Sequence, residues 1–118
     1  MRILLAAMLL CASPALAQPV CTEPQMPPPV DGAHVNPDQL RAAVTAAKGY
    51  IALSDVYQSC LIGELDAART QANADGHPLD PVVASQTRLH LAVNQKTKEK
   101  VGAEINTAID VYKKTHLK

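Results

Sequence analysis

The sequence predicts an all-α fold: a long antiparallel two-helix hairpin, coiled-coil-like, with a proline-rich N-terminal arm packed along the first helix and tethered by a disulfide. Three features predict it. Two stretches of comparable length carry apolar residues in alternating steps of four and three, and each opens on a cap-then-proline signature. A short Asp-Gly-His-Pro segment separates them. Beyond an N-terminal export signal the chain keeps two cysteines, one in the arm and one in the first helix.

The export signal occupies residues 1–17. Arg2 precedes an apolar run from Ile3 to Ala12, and Ala15 and Ala17 place small residues before a cut after Ala17. A spanning helix needs about 20 apolar residues, roughly twice this run. Leu10 before Cys11 and Val20 before Cys21 do not suit lipid attachment. The expected address is the periplasm or outside the cell, with no membrane attachment once the signal is cut. Cleavage leaves one domain's length of chain and removes Arg2, so the basic side chains fall one short of the eleven acidic ones. That near-neutral balance argues against nucleic acid or an anionic membrane surface as partner. With no Trp, no Phe and three Tyr, the core must be thin and aliphatic.

Cleavage also changes the cysteine count. Cys11 leaves with the signal, and Cys21 and Cys60 remain as an even pair in an oxidising compartment, which reads as a structural disulfide. Residues 18–36 form the arm. Pro27-Pro28-Pro29 favours polyproline II, and Asp31-Gly32 marks a turn. Cys60 lies about 35 Å along the first helix at 1.5 Å per residue. The steps from Cys21 to Asn36 span at most about 46 Å in polyproline II. The arm must therefore run back along the helix nearly extended. A stripe of Tyr50, Leu53, Tyr57 and Cys60 is expected to receive it, with Met26, Pro28 and Val30 over the tyrosines.

The hairpin covers residues 37–118. Asn36-Pro37-Asp38 starts the first helix, predicted over about 37–74, and Asp75-Gly76-His77-Pro78 stops it. The turn is placed at 75–80. Asp80-Pro81 starts the second helix, predicted over about 81–115, whose last turns carry Lys113 and Lys114. A turn centred near His77 pairs residues whose numbers sum to roughly 155, a centring that rests on the αL glycine and the proline stop. On that register Leu61 faces Asn94 and Ile51 faces Ile105. Ser54, Gln58 and Asn94 then form a polar belt between two apolar sections of the seam. Such a belt reads first as a register device and second as a niche for a small ligand.

No constellation points to catalysis. The four histidines have no ligand set around them, the serines have no nucleophile elbow, and no glycine-rich phosphate loop is present. Neither cysteine sits in a C-x-x-C. No catalytic residue, metal ligand or cofactor site is assigned, and the chain is not expected to be an enzyme. Lys96, Lys98 and Lys100 are interrupted by Glu99 and read as a solvated helix face. The second helix also carries an extra apolar stripe near the turn, Val82, Leu89 and Val93, with Ile62 on the first helix near the seam's edge. The arm ends at Cys60 and cannot cover that end, so these four residues are the candidate interface for a homodimer or for one protein partner.

The strings Tyr50–Leu61 and Asn94–Asn106 are similar to stretches of small exported helical proteins of Gram-negative bacteria whose function is not established. The resemblance implies a periplasmic address and no activity. The expected function is a non-enzymatic periplasmic binding or structural module working through protein–protein contacts. The alternative is a periplasmic chaperone or stress-response protein that holds unfolded clients. The repeated L-T-x-x-Q motif of the periplasmic stress chaperones is absent.

Overall fold

The computed structural model describes residues 20–117; the signal peptide assigned to residues 1–17 lies outside the described residues. Two helices, α1 (Pro37–Ala74) and α2 (Pro81–His116), pack against each other as an antiparallel hairpin, and no strand occurs among the described residues. Each helix end follows from its local sequence. The Asn36 side chain accepts the Gln39 N–H at 2.8 Å, and the Gln39 side chain accepts the Asn36 N–H at 2.9 Å, a reciprocal cap that satisfies two otherwise orphaned donors. At the far end Gly76 takes a φ of 75°, which a side chain would resist. The Gly76 and His77 N–H groups then donate to the carbonyls of Asn73 and Ala72. Asp80 caps α2 by accepting the Val82 N–H at 2.9 Å, and Lys113, Lys114 and His116 occupy the last turn, where the helix dipole favours positive charge.

The observed register differs from the expected sum of 155. Gln58 bonds Asn94 and Gln95, Asp55 bonds Lys98, and Ser54 bonds Asn94, which sets the pairing a few residues lower. Asn94 therefore meets Ser54 and Gln58. The segment 78–80 between Gly76 and α2 has no helical structure, and on the observed pairing the end of α1 projects past the start of α2.

The core is narrow. Ala47, Tyr50, Tyr57, Leu61, Leu65 and Ala72 of α1 are buried with Val101 and Ala108 of α2, and Ile105 packs against the group formed by Ala47, Tyr50 and Val101. Tyr50 and Tyr57 lie deeper than their seam neighbours Ile51 and Gln58, which are half-buried. The arm is the reason: it covers one flank of the seam, so the buried arc of α1 shifts toward that flank.

Cys21 and Cys60 are joined in a disulfide, with Cα atoms 5.7 Å apart. Closing a loop of this length contributes about 3–4 kcal/mol in the chain-entropy picture. From the bridge the arm runs along α1 and leans onto α2. Pro24 lies by Tyr57. Pro27 to Val30 face Ala42, Ala43 and Ala46 of α1 and Val101 and Ile105 of α2 across a cleft of about 280 Å³. Gly32 then meets the backbone of Ala108 and Tyr112. Leu53, expected beneath the arm, stays 58% exposed.

Candidate functional site

Three regions of the hairpin gather side chains that could act on something else: the polar belt, the turn end and the corner around the disulfide.

In the belt, Ser54 and Asn94 are the most deeply buried side chains among the described residues, each with no exposed surface. The Asn94 amide nitrogen donates to Ser54 Oγ at 3.3 Å, and Gln58 Nε2 donates to Asn94 Oδ1 at 2.9 Å and to Gln95 Oε1 at 3.2 Å. At the rim, Lys98 Nζ donates to Asp55 Oδ1. No buried side-chain polar atom among the described residues lacks a partner. The belt thus joins Ser54, Gln58 and Asn94 with Gln95 in one network, each of whose bonds ends on another group of the same hairpin. Its chemistry fits alignment of the helices, because a slipped pairing would strand these buried groups. Gln95 was not foreseen. It lies one position beyond the seam, and only the register brings it to Gln58.

At the turn end, Ile62, Val82, Leu89 and Val93 are all half-exposed or more, and Leu89 is 60% exposed. They do not form one stripe. Ile62 follows Asp55 by seven residues, so it lies on the flank where Asp55 pairs with Lys98. Val82, Leu89 and Val93 lie in line with Lys100 and Glu104, on the flank that carries the arm. The two flanks are opposite sides of the hairpin. Leu53 and Val56 of α1, 58% and 66% exposed, flank the start of the arm beside Val20.

Around the bridge, the sulfurs of Cys21 and Cys60 and a carboxylate oxygen of Glu64 all lie within 4.8 Å of one another. Glu64 Oε1 accepts the Cys21 N–H at 3.3 Å. Burial, with the charges of Glu23 and Glu64 added, pushes the Tyr57 phenol above its ordinary value of 10.0, so two carboxylates act on this corner. Glu64 follows Cys60 by four residues, one helical turn, and that spacing was its only signal in the sequence. Elsewhere His34 pairs with Asp31, whose carboxyl is held below its ordinary value by that bond and by the Ala33 N–H. His116 stacks on Tyr112 with ring centroids 4.4 Å apart.

No helix among the described residues is long and apolar enough to cross a membrane. No protein-family model, curated protein or solved structure matches the chain.

Proposed function

We propose that the mature chain is a non-enzymatic binding or structural module, exported to the periplasm or beyond, that works through protein–protein contacts at the turn end of its hairpin. One observation carries the reading. The most deeply buried side chains are polar, Ser54 and Asn94, while Val82, Leu89 and Val93 stand on one uncovered flank with about half or more of their surface in water. A hairpin that needed these aliphatics for its own stability would bury them in its seam. A second copy of the chain suits this flank, because the spacing is self-complementary. An antiparallel pairing of two α2 helices sets Val82 against Val93 and Leu89 beside Gln86, and makes a four-helix bundle at the turn ends. The disulfide supports export, since such bonds persist in oxidising compartments.

Sedimentation of the oxidised mature chain over a range of concentrations tests this. The wild type should associate reversibly, and Leu89→Glu should remain monomeric at every concentration with an unchanged melting temperature. A wild type that stays monomeric, and whose bound proteins in a periplasmic extract are the same as those of Leu89→Glu, would remove the flank from consideration. Suppression of a model substrate's aggregation by wild type and Leu89→Glu alike would favour the chaperone reading instead.

A further inference from the structure

The disulfide corner holds a second chemistry. We propose that Cys21, Cys60 and Glu64, once the bridge is reduced, form a three-ligand site for a thiophilic divalent cation of the Zn²⁺ class, so that a metal ion can take over from the disulfide as the latch on the arm.

In the oxidised chain the two sulfurs are brought together by their own bond, and Glu64 stands beside them. Both sulfurs and a Glu64 carboxylate oxygen lie within 4.8 Å of one another, and this is the one such cluster of His, Cys, Asp and Glu among the described residues. Two thiolates on a tetrahedral ion stand roughly 3.8 Å apart, from metal–sulfur bonds of about 2.3 Å, so the opened pair needs side-chain rotation and little backbone movement. Glu64 is fixed from both directions: its own backbone is one turn from Cys60, and its carboxylate accepts the Cys21 N–H. Thiolate ligands select soft or borderline ions, and a carboxylate completes three protein ligands with a fourth position open to water.

The chemistry balances. A dithiol reductant delivers two electrons and two protons to the bridge, giving two cysteine thiols, and itself becomes a disulfide. The ion then displaces both thiol protons to solvent, forms two metal–sulfur bonds and one metal–oxygen bond, and keeps a water. The latch matters because little else polar fastens the arm. Among the described residues, the Cys21 N–H to Glu64 bond is the one hydrogen bond found between residues 20–35 and the helices. Opening the bridge leaves the arm on apolar contacts and this one exposed hydrogen bond.

The test uses the mature chain, reduced with a phosphine under anaerobic conditions and titrated with Cd²⁺ as probe. A cadmium–thiolate charge-transfer band should grow to saturation at one ion per chain and be bleached by competing Zn²⁺. Cys60→Ser should abolish the band. Glu64→Gln should weaken Cd²⁺ binding by about tenfold or more, on the scale of other perturbed metal sites, while its oxidised form melts with the wild type. Limited proteolysis near Met26 reads the latch: slow when oxidised, fast when reduced and metal-free, slow again with Zn²⁺. A band that does not saturate at one ion per chain, Glu64→Gln binding as tightly as wild type, or an arm still cleaved quickly with Zn²⁺ present would each overturn the proposal.

Discussion

Gly32 is where a single atom decides whether the arm can lie against the second helix. A Cβ built there would overlap the carbonyl oxygen of Ala108 and crowd the Tyr112 nitrogen, both of them backbone atoms of α2 that cannot move without bending the helix. Gly32→Ala should therefore destabilise the domain by about 1–3 kcal/mol, the usual penalty of overpacking. Gly49 and Gly102 give the contrast. Each sits within a helix with nothing near its missing side chain, so Gly49→Ala and Gly102→Ala should each add roughly 0.5–1 kcal/mol. Urea denaturation of the three variants measures the difference. If Gly32→Ala proves as benign as the other two, the arm does not rest on α2. The sequence marks Gly32 as a turn residue beside Asp31, and nothing local to it reveals the close approach, which depends on a partner 76 positions away (Ala108).

Helix ends are local properties, and they were legible: the Asn36 cap, the Gly76 stop and the Asp80-Pro81 restart all stand where the residues placed them. The register was only partly legible. It depends on bonds across the seam between residues far apart in the chain, such as Gln58 with Asn94 and Asp55 with Lys98, which no local signal carries. Whether the belt fixes the register is tested by taking it apart in two ways. Asn94→Leu alone leaves Ser54 Oγ and the Gln58 amide without their buried partner and should cost about 1–3 kcal/mol. Replacing Ser54 with Ala, and Gln58 and Asn94 with Leu, removes donors and acceptors together. That triple variant should regain the lost stability, and it should also tolerate slipped pairings. Engineered cysteine pairs across the seam report this directly: the wild type should cross-link in one register and the triple variant in several. A triple variant held to a single register would assign alignment to the caps and the arm instead of the belt.

Over the whole molecule, stability should be distributed unevenly, and the distribution bears on function. The arm covers the half of the hairpin away from the turn and stops at Cys60. In that half α2 buries Asn94, Val101 and Ala108; from Pro81 to Val93 it buries no side chain, and only Ala84, Thr87 and Leu91 are half-buried. Sequence patterning located the apolar stripe of Val82, Leu89 and Val93 but placed Ile62 with it, because a heptad wheel gives angles within one helix and not which flank the arm will take. A helix with so little burial opens locally at a free energy well below that of global unfolding. Amides at 84–92 in a dilute, oxidised sample should therefore exchange with solvent distinctly faster than those at 98–110. Raising the protein concentration should slow exchange at 84–92 alone, since association on this flank protects only the residues that it covers. Leu89→Glu should keep the fast exchange at every concentration. Uniform protection along α2 at high dilution would mean that the hairpin opens as one cooperative unit, and the exposed stripe would then owe nothing to a missing partner.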